Sequence, residues 1–341
     1  MIVYDGIVFN IQRTGGISIM FAELINRLPA GSYELVGFRD APPPALTDAA
    51  WQPRAPRFLE RYRRAAMGRS GDVFHSTYYR LPAARGPRVV TSVYDFNYER
   101  FATLPDRLVH SAQKRAAIAG ADRAICISKN TQDDLLEFFG ADLHRKSVVV
   151  PLAASDAFHR LSNETLRPQV LFVGKRNATK NFAPVVDALA ALPDLSLVCV
   201  GGGEFTSAER ARLERTLPGR YHHTGHLDDA ALNREYNRSL CLAYPSLAEG
   251  FGIPILEAMK AGCPVVAVRA ASIPEVAGDA GILLQRGDAD ELRAAISSLL
   301  VAEARDAQVR RGLERSRAFS WDETCRRVRA VYEELLGHAL R

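Results

Sequence analysis

Short runs of apolar, largely β-branched residues, each followed by a stretch with helical spacing, constrain this chain more than any other feature. In the first half the runs are MIVYDG, YELVGF, DVFHS, RVVTSVYD, RAICIS and SVVVP; in the second they are QVLFVG, LSLVCVGG, YHHTG, CLAYPS, PVVAV and GILL. Strand alternating with helix is the rhythm of parallel sheets. Because it occurs twice, it predicts two doubly wound α/β domains facing one another, and 341 residues are enough to build both. The Pro-, Ser- and Ala-rich segment PLAASDAFHRLSNETLRP is the best linker. The expected division is therefore residues 1–160, 161–319 and a last helix in 320–341. Such sheets bind ligands beyond the carboxyl ends of their strands, where the loops of the two domains would meet across a cleft.

Composition narrows the function classes. A chain that is 47% hydrophobic and 24% charged is that of a globular enzyme. Its five cysteines are scattered, without a Cys-x-x-Cys pair, and read as small buried hydrophobes in a reducing compartment. No segment approaches the ~20 uninterrupted apolar residues of a membrane span. The start MIVYDG carries an Asp and no basic stretch, so a cytoplasmic protein is expected.

The charge is uneven. Residues 1–160 hold 21 Lys and Arg against 16 Asp and Glu, a balance of +5, while the remaining 23 and 23 cancel. The excess gathers in RAPRFLERYRRAAMGRS, residues 54–69, where Phe58, Leu59 and Tyr62 are interleaved with arginines. That pattern predicts a basic amphipathic helix, either resting on anionic lipid at the inner face of a membrane or simply solvated. Nucleic acid is not expected as a partner, because no basic–aromatic platform recurs.

Several loops offer phosphate chemistry. Gly15 and Gly16 precede an amphipathic helix, so unhindered amides at a helix N-terminus either cradle an anion or form a plain strand–helix turn. The dinucleotide fingerprint G-x-G-x-x-G fails here, at GGGEFT and at GFGIPI, which argues against a nicotinamide dehydrogenase. In LFVGKRNATKNF, Lys175, Arg176 and Lys180 follow a strand end and can neutralise a diphosphate without a metal. Asp288-Ala-Asp290 has the spacing of a divalent-ion site, but Asp288 with Glu291 also forms a capping box, as do Thr206 with Glu209, Ser272 with Glu275 and Ser320 with Glu323. No metal or other cofactor is expected.

Two carboxylates then need a task. Glu249 stands before the turn Gly250-Phe251-Gly252, and Glu257 lies on the stripe Ile253, Glu257, Ala261 of an otherwise apolar helix. That helix opens its amides and dipole toward Phe251 and Gly252. Carboxylates beside an anion site repel the anion unless they accept hydrogen bonds from hydroxyls, as Glu does from the vicinal hydroxyls of a sugar. One Glu on each side of a diphosphate suits a nucleotide sugar. The bland alternatives are a cap or surface residue for Glu249 and an ion pair for Glu257.

The E-x7-E element in EGFGIPILEAMKAGCPVV, the Gly-Gly-Ile-Ser loop at 15–18, LFVGKRNATKNF, VYDFNYERF and SWDETCRRVRAVYEELL together resemble the retaining GT-B glycosyltransferases of family GT4, over nearly the whole chain. The resemblance implies an α/β GT-B fold of two Rossmann-like domains, the first binding the acceptor and the second the nucleotide sugar, with the last helix crossing back to the first. It implies metal-independent transfer of a hexose with retention, with GDP-mannose as the best guess for the donor. The acceptor is expected to be a saccharide, lipid-linked, in bacterial polysaccharide or lipopolysaccharide synthesis.

Carried over residue by residue, Gly15 and Gly16 meet the diphosphate, Arg176 and Lys180 carry the leaving-group charge, and Lys175 can replace Arg176. Glu249 binds donor hydroxyls beside the amides of Phe251, Gly252 and Ile253, Glu257 holds the ribose, and Glu204 joins the donor set. Related enzymes often read His-Asp where this chain has Tyr94-Asp95, which leaves Asp95 as a catalytic candidate and His75 and Tyr94 as acceptor-side candidates. Front-side and double-displacement routes both stay open. The rival readings are a nucleotide-sugar 2-epimerase and a non-catalytic sugar-binding protein.

Overall fold

The computed structural model describes residues 1–12, 15–47, 51–101 and 104–340. The chain divides into two compact units, Met1–Leu152 with Ser320–Arg341, and Ala153–Phe319. The first division falls at Leu152 rather than at 160 because the next segment is tied to the second unit. Phe158 packs edge-on against Tyr236, and the amides of His159 and Leu161 donate to the side chains of Asn233 and Asn237.

In the first unit the strands are β1 (Ile2–Tyr4), β2 (Tyr33–Gly37), β3 (Trp51–Pro53), β4 (Val73–Ser76), β5 (Arg88–Val93), β6 (Arg123–Cys126) and β7 (Ser147–Val149). They form one parallel sheet in the order β3-β2-β1-β4-β5-β6-β7. Edge strand β3 was not anticipated: WQP carries a proline and lacks an apolar run, and a parallel edge tolerates both. The central strands β1 and β4 are buried along their whole length, as a sheet covered by helices on both faces requires.

The last helix, Trp321–Leu336, belongs to this unit and packs on the helix Gly16–Asn26. Its Tyr332 hydroxyl reaches Tyr4 at 2.8 Å and Nδ1 of His75 at 2.6 Å, and Thr324 donates to the Pro151 carbonyl at 2.7 Å. Ser320 caps it, accepting from the Glu323 amide.

The second unit holds β8 (Gln169–Val173), β9 (Ser196–Val200), β10 (Tyr221–His223), β11 (Cys241–Tyr244), β12 (Val265–Val268) and β13 (Ile282–Leu284). All pair in parallel in the order β10-β9-β8-β11-β12-β13. An apolar cluster in it includes Val170, Leu197, Ala243 and Val266 from the strands and Val185, Leu213 and Ile296 from the helices. The winding reverses between β1 and β4 in the first unit and between β8 and β11 in the second, which marks the loops after those strands as the ligand-binding ends.

The 54–69 stretch is not a helix. Beyond a single 3-10 turn at Glu60–Tyr62 it runs as an irregular loop, with Ala65 bridged to Pro82. Pro53 and Pro56 interrupt helical propagation, and the arginines are spent on shaping the loop. Arg57 grips Glu60 and the Arg64 carbonyl, Arg63 donates to the Phe58 carbonyl, and Arg64 to the Pro82 carbonyl. Beneath them Glu60 is buried against Arg80, whose guanidinium also meets Asp5. No helix among the described residues is long and apolar enough to cross a membrane.

Candidate donor site at the end of β8

Strand β8 ends at Val173, and Gly174 turns the chain out with φ 104°. Lys175 follows, exposed and without a partner among the described residues. Asn177 then caps the short turn Ala178–Lys180 by accepting from the Lys180 amide, and the Asn181 amide group holds the Gly287 carbonyl at 3.1 Å. This folds Lys180 back toward β11. Its ammonium forms an ion pair with Glu249 and lies 5.2 Å from the centre of the Tyr244 ring. The two loops are stitched by the Leu247 amide, which donates to the Thr179 carbonyl at 2.8 Å.

The turn that carries Glu249 is held from below. Ser272 was expected to cap its own helix, but its backbone is helical and no amide bonds its side chain. Its hydroxyl is instead placed between the carbonyls of Glu249 and Phe251, at 3.0 and 2.9 Å. The Phe251 ring is buried edge-on against Phe319. Gly252 then takes φ 102°, a left-handed conformation that side chains resist, and so starts the helix Ile253–Lys260 abruptly. No hydrogen bond occupies the amides of Phe251, Gly252 or Ile253 among the described residues, so they are open to an anion.

Glu257 lies one turn further along and is buried. Its Oε2 accepts from the Tyr236 hydroxyl at 2.9 Å, and burial pushes its carboxyl up to about 7. The bland reading of an ion pair is excluded, since no cation reaches it among the described residues. Glu249 and Glu257 thus each lean on a tyrosine, and burial followed by the neighbouring Glu249 pushes the Tyr244 hydroxyl well up. Neither tyrosine carried a local signal: each sits in a different element from the glutamate it meets.

Arg176 departs from its expected role. Its guanidinium donates to the carbonyls of Gly201, Gly203 and Glu204 at 3.1, 2.6 and 2.9 Å, pairs with Glu209 at 3.1 Å, and lies 4.6 Å over the Phe205 ring. With its side chain only 2% exposed, it clamps the three-glycine loop after β9 and cannot also carry a leaving group. Gly202 fits under that clamp because a side chain there would meet the Gly174 carbonyl oxygen at 2.3 Å. Glu204 is exposed at the loop's end, 3.8 Å from His223. Asp288 caps the helix Ala289–Ser298 by accepting from the Glu291 amide, and among the described residues no three His, Cys, Asp or Glu side chains gather as metal ligands.

In the first unit, Gly15 has an extended backbone and Gly16 opens its helix, with the Ser18 hydroxyl and the Ile19 amide turned to the Gly15 carbonyl. Two acceptor-side candidates are corrected. His75 is fully buried between Tyr332 and Ser92, at 2.6 and 2.9 Å, and burial lowers its pKa to about 3, so it is a neutral core residue. Tyr94 is buried too, its hydroxyl donating to the Thr77 carbonyl at 3.0 Å. His75 lies in β4, buried throughout, and Tyr94 directly follows β5, buried beyond Arg88, so packing takes both side chains inside. Asp95 is half-buried, accepts from the Asn97 amide at 3.0 Å, and offers its carbonyl to Lys114.

Comparison with known proteins agrees with this geometry. The family model described as glycosyltransferase family 4 matches residues 14–154, and that of glycosyl transferases group 1 matches residues 156–314. The chain is 27% identical to O-antigen chain mannosyltransferase B of Escherichia coli over 287 residues, covering 77% of this chain and 74% of that one. Two solved structures share the fold. A sucrose-phosphate synthase from Thermosynechococcus elongatus has a TM-score of 0.78 at 18% identity, covering 98% of both chains. HepE of Anabaena, solved with UDP and glucose, has 0.77 at 16%, covering 97% of this chain and 98% of that one. Two family models laid end to end over two doubly wound units leave one assignment: the chain belongs to the GT4-type GT-B glycosyltransferases.

Proposed function

We propose that this enzyme moves a hexose from a nucleotide-diphosphate sugar to a saccharide acceptor, with retention and without a metal. The observation that carries the reading is the end of β8, where the exposed Lys175 and the Lys180–Glu249 pair stand where the winding of the sheet reverses. Lys180 and the open amides of 251–253 neutralise the diphosphate, while Glu249 accepts from sugar hydroxyls and Glu257 from the ribose. GDP-mannose is the donor we favour, on the strength of the mannosyltransferase relative.

The test is release of GDP from GDP-mannose, with UDP-glucose in parallel. Release that requires a saccharide acceptor and persists in excess EDTA is expected. Conversion of the donor sugar without acceptor identifies an epimerase instead, and loss of activity on chelation with recovery on adding Mn²⁺ or Mg²⁺ overturns the metal-free reading.

The acceptor we propose is lipid-linked and reached at the inner, anionic face of a membrane. What supports it is the tip of the 54–69 loop, where Phe58, Leu59 and Tyr62 are 79%, 55% and 48% exposed. Leu59 is held there in a left-handed conformation, φ 54°, over the buried Glu60. Apolar side chains on a loop whose arginines outnumber its one acid suit a negatively charged bilayer. Changing Phe58 and Leu59 to Ser and Asn should weaken binding to phosphatidylglycerol vesicles and slow transfer to a lipid-linked acceptor, while a soluble acceptor is still used. Unchanged vesicle binding leaves the tip a solvated loop.

A further inference from the structure

The helix Asp229–Arg238 packs against the helix that carries Glu257, and Tyr236 is its fully buried inward side chain, edge-on to Phe158. Among the described residues its hydroxyl bonds Oε2 of Glu257 at 2.9 Å, and Oε1 takes no hydrogen bond and is not sealed from solvent. A buried carboxyl held at one oxygen has its plane fixed and presents the other oxygen in one direction. We propose that Tyr236 is a positioning residue for donor binding: it anchors Oε2 of Glu257 in its ionised form so that Oε1 accepts from the nucleotide's ribose. This rests on the reading that Glu257 holds the ribose.

The surroundings make that anchor matter. From the packed helix Glu257 faces Tyr236 and Asp229, and from β11 it faces Tyr244. Lys260 on its own helix turns away to the Ala154 carbonyl and Asp156. On the helix Ala302–Ser316, Arg315 is spent on the carbonyls of Glu275 and Val276, and Arg305 lies by Cys241 and Cys263. Glu275 is the ionisable residue of the neighbouring Ile273–Ala277 helix, and β12 has none. Burial first, and Asp229 after it, favour the protonated acid, and the Tyr236 hydroxyl is what opposes them.

The experiment is calorimetric binding of GDP, with UDP in parallel, from pH 5.5 to 9 for wild type, Tyr236→Phe and Glu257→Gln. In Tyr236→Phe the half-point of the pH profile should rise by about one unit, so that binding is about fivefold weaker than wild type at pH 7 and equal to it by pH 9. Recovery at high pH in the same sample shows that the variant is folded. Glu257→Gln should bind weakly and lose that pH dependence. A Tyr236→Phe profile that follows wild type, or one that is weaker by the same factor at every pH, overturns the proposal while the ribose reading stands. Wild-type affinity in Glu257→Gln, or no binding of either nucleotide to wild type, overturns the ribose reading and the proposal together.

Discussion

The two units reverse their winding at corresponding places, yet they treat charge there in opposite ways. At the end of β1, Asp5 is fully buried and accepts from the Ser76 and Thr77 hydroxyls, the Thr77 amide and Arg80, which is itself sealed between Asp5 and Glu60. At the end of β8, Lys175 is exposed and the Lys180–Glu249 pair keeps partial access to solvent. The first arrangement uses up its hydrogen-bonding capacity internally and builds a scaffold for the 54–69 loop. The second leaves charged groups in contact with solvent. A switch point can serve a ligand only where its polar groups are not already satisfied by the fold.

The comparison can be broken most severely at Arg80. Replacing it with Met leaves Asp5 buried without its cation and Glu60 with Arg57 alone, and should cost about 3–5 kcal/mol of stability, read from urea unfolding followed by fluorescence of Trp51 and Trp321, both in the first unit. A loss below 1 kcal/mol would mean that the buried network is not a scaffold. Lys180→Ala should do the reverse. Losing a preorganised charge at the leaving group raises the barrier by about 3–4 kcal/mol, a fall of two to three orders of magnitude in kcat, with a melting temperature close to wild type. Near-wild-type turnover would remove Lys180 from the chemistry.

Glu257 sharpens the contrast through pH. Its folded pKa, about 7, lies above the ordinary carboxyl value, so the protonated form is favoured by folding. That stability is complete below about pH 4.5 and is lost as pH rises toward 7, on the order of 3 kcal/mol in all. Glu257→Gln should flatten the wild-type decline between pH 5 and pH 8 in chemical unfolding. Parallel curves would show that the carboxyl is solvated. The smallest effect is expected at Arg176. In Arg176→Lys the ion pair with Glu209 can re-form but the three-carbonyl fork cannot, so stability should fall by about 1–2 kcal/mol while kcat changes little. A collapse of kcat with intact stability would restore Arg176 to the leaving group.

Much of this was legible in the residues. The twelve anticipated strands are present, most of them because a strand buried on both faces is written as a continuous apolar run, with YHH of β10 a partly exposed exception. Thr206 with Glu209 forms its capping box, and Asp288 caps its helix, since both depend on groups three residues apart. The E-x7-E spacing likewise set Glu249 and Glu257 on either side of one helix start.

What the residues alone left open was the partner of each side chain. His75 meets Tyr332 from the far end of the chain, Arg80 seals Glu60 under the basic loop, Arg176 is drawn to the carbonyls after β9, and Tyr236 reaches Glu257 from the helix before it. A histidine, an arginine or a tyrosine reads the same in sequence whether it is buried in a network or offered to a ligand. Strands, caps and turns follow from neighbours along the chain, so the sequence by itself determined them. Which polar groups are consumed and which stay available depends on groups brought together by packing, and only the tertiary structure decided that.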